Sequence, residues 1–171
     1  ITQVFSLVIN IIKRYIQKLD YLKTIIFGLI GAYLVNLGGN LHTIYLFTKG
    51  YPNESPIPFW KILSGFNPTT YWYPNATRLI PFTIHEFPSY SYVVADLHGH
   101  VFDIPFVLLT LALLFMFFTS YKKILNYKFI ILNSIILGFM TAIHYMTNAF
   151  DGPIYILLTI IILFFLFGFS F

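Results

Sequence analysis

The sequence predicts an all-α fold, a polytopic bundle of transmembrane helices, and three observations predict it. Of 171 residues, 58% are hydrophobic and only 9% are charged, with a mean hydropathy of +0.78. Soluble domains carry about 25% charged residues, so a chain this poor in charge is solvated by lipid. The apolar residues also come in runs near the length, about 20 residues, that crosses a hydrocarbon core. Finally, seven of the ten lysines and arginines crowd into two short segments, so the net charge of +4 is a topology signal and not the mark of a nucleic-acid partner. Cysteine is absent, which excludes a disulfide framework and a thiolate metal site.

The opening "ITQVFSLVINII" is too short to span alone and reads as the tail of a preceding helix. No basic stretch precedes it, so a signal peptide is not supported. The last residues, "IIILFFLFGFSF", stop inside an apolar run, and the chain is expected to be a fragment of a larger protein. Four spans follow, at about 24–47, 100–121, 129–147 and 153–171, within a single membrane domain covering 1–171. Lys13, Arg14, Lys18 and Lys23 fill one loop, and Lys122, Lys123 and Lys128 another. The positive-inside bias makes both cytoplasmic and puts 48–99 and 147–153 on the extracytoplasmic side of the cell membrane.

The long outer loop carries Pro52, Pro56, Pro58, Pro68, Pro74, Pro81 and Pro88 among many aromatics. Proline removes backbone donors and breaks regular structure. Aromatic rings suit an interface, wet on one edge and apolar on the face. Short interfacial helices and turns are expected there. "NES" (53–55) and "NAT" (75–77) match glycosylation sequons, a pattern that arises often by chance.

Polar residues inside spans face a bundle interior or a watery cavity. Thr141, His144, Asn148 and Asp151 stand at i, i+3, i+7 and i+10 and are expected on one helical face. Asp151, just before Gly152 and Pro153, equally suits a helix start, and His144 an interhelical hydrogen bond. Asn36, Asn40 and Thr43 form a second such stripe, with Gly38 and Gly39 either admitting a neighbour or weakening the helix.

The densest polar stretch is "EFPSYSYVVADLHGHVFDIPF" (86–106), with three of the six acidic residues and two of the five histidines. An extended backbone would put Asp96, His98 and His100 on one face; a helical one would align Asp96, His100 and then Asp103. Either arrangement gathers the carboxylate and imidazole groups that a divalent metal ion or an acid/base pair requires. The plainer alternative is a hydrogen-bonded cluster anchoring the loop. Pro105 is compatible with the first turn of the span. Glu86 is near enough in sequence to fold back onto Asp96. Arg78 suits a lipid-linked phosphate or an ordinary headgroup.

These residues resemble the signature of the YYY-type membrane proteins, an uncharacterised polytopic family of archaea and bacteria. The matching positions are Glu86, Phe87, Pro88, Ser91, Asp96, Leu97, His98, His100, Pro105 and Phe106. "YWYPNATRLI" (71–80), "NAFDGPIY" (148–155) and "NLGGNLHTIY" (36–45) are similar to further elements of it. His85, Ser89 and Gly99 depart from its pattern.

The family's layout resembles that of C-type glycosyltransferases, with many spans, a large outer loop and acids at the outer membrane face. That resemblance implies a glycosyltransferase moving a sugar from a polyprenyl-phosphate donor to an acceptor glycan or protein. Glu86 or Asp96 would be the catalytic base. Asp96, His98 and His100 would hold a divalent metal ion, and Arg78, His144, Asn148 and Asp151 would bind substrate. The competing readings are an ion- or proton-coupled transporter and a non-catalytic membrane scaffold.

Overall fold

The computed structural model describes residues 1–52, 55–78, 80, 82–120 and 127–167. Asn53 and Glu54 of the first sequon, Pro81 of the outer loop, and Lys122 and Lys123 of the second basic loop lie outside them. So do Tyr121 and residues 168–171, at the ends of two expected spans. Among the described residues the chain forms six α-helices: α1 (Thr2–Tyr15), α2 (Tyr21–Leu37), α3 (Pro88–Val94), α4 (Gly99–Ser120), α5 (Tyr127–Thr147) and α6 (Asp151–Phe167). Four 3₁₀ turns, Leu41–Phe47, Phe59–Lys61, Pro68–Thr70 and Tyr73–Thr77, lie between α2 and α3. The all-α architecture expected from composition is the one found.

Among the described residues two helices, α4 and α5, are each long and apolar enough to cross a membrane, with mean hydropathies of 2.4 and 1.7. The shorter α6 is also apolar. The expected span at 24–47 is bent in the structure: α2 ends at Leu37, and the chain turns by 78° before the 3₁₀ turn at Leu41–Phe47, so the two pieces together form a broken span or a re-entrant loop. The amide of Gly38 reaches back five residues to the Tyr33 carbonyl at 3.1 Å, which opens the last turn. Asn40 then caps the new turn by accepting from the His42 amide at 3.1 Å. Asn36, Asn40 and Thr43 therefore do not share one helical face. Pro105 also differs from expectation, standing inside α4 rather than in its first turn.

The chain divides into two compact units, Ile1–Ala32 with Leu97–Phe171, and Tyr33–Asp96. In the first, α4 packs on α5, α6 and α1, and α5 packs on α6. Leu114 and Phe117 of α4, Leu137 of α5 and Leu166 of α6 form one dry core; Val4, Ala32 and Leu108 form another. Gly28 permits the close approach of α1 to α2, since a Cβ there would sit 2.7 Å from the Phe5 ring. Ile131, Leu132, Ile135 and Phe139 of α5, and Leu157, Ile160 and Phe164 of α6, remain exposed. In water such a surface drives association; in a bilayer it is the lipid-facing side.

The second unit is organised around His42, which is buried beneath Tyr45 with ring centroids 4.5 Å apart. Its Nε2 meets the Tyr51 hydroxyl at 2.6 Å, and its Nδ1 the Tyr71 hydroxyl at 3.1 Å. The Tyr45 hydroxyl donates to the Ile57 carbonyl at 2.7 Å. Side chains thus satisfy groups that a proline-rich backbone leaves without ladder partners. One isolated antiparallel bridge joins Thr48 to Leu63. Asn75 of the second sequon is only 3% exposed, so this fold leaves no room for a glycan on it.

Candidate functional site

The first unit buries a polar cluster where α4, α5 and α6 meet. His98 opens α4 by accepting from the amides of Val101 and Phe102 at 3.0 and 3.3 Å. Gly99 then starts the helix directly against the end of α5, because a Cβ there would collide with the Thr147 carbonyl oxygen. This approach carries Asp103 to His144. The imidazole Nδ1 lies 2.6 Å from the carboxylate Oδ2, and both side chains are fully buried. Thr147 donates its hydroxyl to the other carboxylate oxygen at 2.6 Å.

A carboxylate only accepts hydrogen bonds, so Nδ1 carries the hydrogen, and in the neutral imidazole Nε2 then accepts from the Thr110 hydroxyl at 3.0 Å. The Tyr155 ring of α6 lies 4.7 Å from the His144 ring. An isolated ion in hydrocarbon is costly, and these partners explain how an apolar bundle retains Asp103.

Asn148 and Asp151 belong to the same cluster. Asn148 Nδ2 donates to Asp151 Oδ2 at 2.9 Å, and its Oδ1 accepts from the Phe150 amide at 3.4 Å. Asp151 is the first residue of α6, where a carboxylate complements the helix dipole, and it lies within electrostatic reach of Asp103 and His144. The expected single-face stripe is corrected here: α5 ends at Thr147, so Asn148 and Asp151 sit in the turn and at the next helix start. Thr141 bonds only to its own helix, at the Leu137 carbonyl.

His144, Asn148 and Asp151 are thus brought together. Asp103, Thr110, Thr147 and Tyr155 complete the group; of these the sequence points only to Asp103, through the helical alternative beside His100, and not as a partner of His144. A lone acid one turn into an apolar span was the signal for Asp103; nothing in the sequence distinguished Thr110 from an ordinary span threonine.

His98 and His100 have nearly parallel rings 6.2 Å apart at the start of α4. The extended alternation is not adopted, because the helix begins between them, at Gly99. Among the described residues, no three acidic or histidine side chains are placed to hold a metal ion.

Glu86, Asp96 and Arg78 belong to the second unit. Arg78 is half-buried and closes the turn at Tyr73–Thr77, its amide donating to the Asn75 carbonyl at 3.2 Å. Glu86 is half-buried and precedes Phe87, the residue that starts α3. Asp96 is exposed and follows Ala95, which ends α3 in the left-handed region at φ 56°. Both the Ala95 and Asp96 amides reach the Ser91 carbonyl, the latter at 3.1 Å. Glycine usually fills such a position, and an L residue there costs about 1–2 kcal/mol.

Within the same unit lies a cavity of about 330 Å³. The rings of Tyr33, Tyr73 and Phe87 line it together with the polar Asn40, Thr43 and Ser89. Asn40 is held by its bond to the Ala76 carbonyl at 2.6 Å, and Ser89 by one to the Gly38 carbonyl at 3.3 Å. Tyr73 stacks on Tyr90, with centroids 5.6 Å apart.

No curated protein and no solved structure matches the chain. The family model described as uncharacterized membrane protein (DUF2298) matches residues 1–169, and the chain belongs to that family of membrane proteins.

Proposed function

We propose that this chain forms part of a glycosyltransferase that moves a sugar from a polyprenyl-phosphate donor to an acceptor at the outer membrane face. The observation that carries the reading is the cavity of the second unit. Ligand sites combine apolar and aromatic walls with a few fixed polar groups. Sugars ask for that mixture, since their C–H faces lie on rings and their hydroxyls bond to amides and hydroxyls. At about 330 Å³ the cavity suits one or two sugar rings, and Glu86 immediately precedes Phe87 in its wall. The resemblance to the YYY-type signature through Glu86, Asp96, His98 and His100 agrees with this reading.

In the reaction, Asp96 or Glu86 accepts the proton of the acceptor hydroxyl as that oxygen attacks the anomeric carbon. The bond from that carbon to the phosphate oxygen breaks, and the guanidinium of Arg78 balances the charge on the departing phosphate.

Asp103 and His144 act as positioning residues that join α4 to α5 at the end bearing His98, His100 and Asp151. A proton pathway would use the same pair. Among the described residues its hydrogen bonds reach Thr110, however, and the apolar core of Leu114, Phe117, Leu137 and Leu166 follows along the bundle.

Membranes containing the wild-type protein, given a polyprenyl-phosphate-linked sugar, are expected to release transferred product. Asp96→Ala is expected to abolish transfer at normal expression, and Tyr73→Ala to raise the acceptor KM. Undiminished transfer by Asp96→Ala removes that residue from the mechanism. Proton-driven uptake by proteoliposomes without any transfer would establish the transporter instead.

A further inference from the structure

A second concave feature lies in the first unit, far along α4 from Asp103 and unused by the proposed reaction. It is a groove of about 510 Å³ between α1 and α4. Its floor is apolar, with Leu108, Ala112 and Met116 of α4; its other wall carries Gln3, Ser6 and Asn10 of α1. Ser6, Asn10 and Arg14 are spaced by four residues, so one face of α1 runs from hydroxyl and amide to guanidinium. At that end the exposed Arg14 donates to the Thr119 carbonyl in a long bond of 3.4 Å. Lys13 shares the last turn of α1, and Lys18 follows closely.

From residue 2 to residue 14 the helix rises roughly 18 Å, slightly more than half of a hydrocarbon core about 30 Å thick. A groove of one-leaflet length, apolar along its floor and cationic at one end, complements an amphiphile with an acyl chain and an anionic head. Basic pockets between transmembrane helices on the cytoplasmic side bind such headgroups. We infer that the α1–α4 groove holds an anionic phospholipid, its phosphate at Arg14 and Lys13 and one acyl chain along Leu108, Ala112 and Met116. Asn10, one helical turn from Arg14, meets the glycerol and ester oxygens. In the orientation set by the basic loops, this is a lipid of the inner leaflet, and the inference stands independently of the sugar chemistry.

The test is native mass spectrometry and thermal unfolding of the purified protein in nanodiscs of phosphatidylcholine, with and without phosphatidylglycerol. Selective retention of phosphatidylglycerol and a higher Tm in its presence are expected. Each basic side chain near the surface contributes about 1 kcal/mol, so Arg14→Gln should lower retention roughly fivefold and the double variant with Lys13→Gln roughly twenty-five-fold. Ala112→Trp fills the groove from α4, and Ser6→Phe fills it from α1, with both basic residues kept. Either is expected to abolish retention while the Tm in phosphatidylcholine alone reports intact folding. Equal retention of the two lipids overturns the inference. So does full retention by both groove-filling variants, which would mean adsorption to surface charge alone.

Discussion

Replacing His144 by leucine probes the buried bond between α4 and α5 directly. The substitution removes the partner of Asp103 Oδ2 at 2.6 Å and that of the Thr110 hydroxyl at 3.0 Å. Thr147 remains on the other carboxylate oxygen and Asp151 remains beside it, so Asp103 is left buried without its imidazole donor. Taking the donor from a buried carboxylate costs about 1–3 kcal/mol, and more when that acceptor is charged. Ordinary interhelical hydrogen bonds in membranes average only about 0.6 kcal/mol, with a maximum near about 1.7. Asp103→Leu alone strands the Nδ1–H donor at a cost of about 1–3 kcal/mol. The double variant Asp103→Leu/His144→Leu replaces both groups with hydrocarbon of comparable bulk and is expected to be near neutral. The two single losses should therefore exceed the double loss by roughly 3 kcal/mol or more. Unfolding titrations in mixed micelles, followed by far-UV circular dichroism at one pH, measure all four species. A coupling no larger than about 1.7 kcal/mol would refute the argument, because a neutral interhelical bond then accounts for the pair.

Two further outcomes concern the second unit. Ala95→Gly relieves the left-handed strain at φ 56° and is expected to raise stability by about 1 kcal/mol; a loss of similar size, usual for glycine inside a helix, would mean that Ala95 is not strained. Burial, with help from neighbouring tyrosines, pushes the Tyr51 and Tyr71 hydroxyls from 10.0 up to about 12. The unfolded chain releases these protons near pH 10 and the folded one near pH 12, so stability is retained below pH 10 and falls as pH rises between the two. Phenolate absorbance should show a late-titrating fraction that Tyr51→Phe and Tyr71→Phe each reduce, and unchanged titration in both variants would contradict the burial.

The sequence by itself determined the membrane solvent, the helical class and the neighbourhood of the polar residues. Those follow from run length and from the cost of charge in hydrocarbon, which act locally along the chain. His144 and Asp151 were legible for that reason, as polar groups that a lipid-facing helix would not carry without partners. The tertiary structure decided the rest. His144 is bonded to Asp103, 41 residues away in sequence, because Gly99 lets α4 start against the end of α5, and no periodicity within one helix reports such an approach. The break after Leu37 was half legible: Gly38 and Gly39 signalled either a close neighbour or a weakened helix, and the tertiary structure chose the latter, exchanging helical bonds for a cap at Asn40. The cavity of Tyr33, Tyr73, Phe87 and Asn40 is built from residues up to 54 positions apart. In a proline-rich loop with no repeating pattern, only the long-range contacts around His42 select which rings face one another.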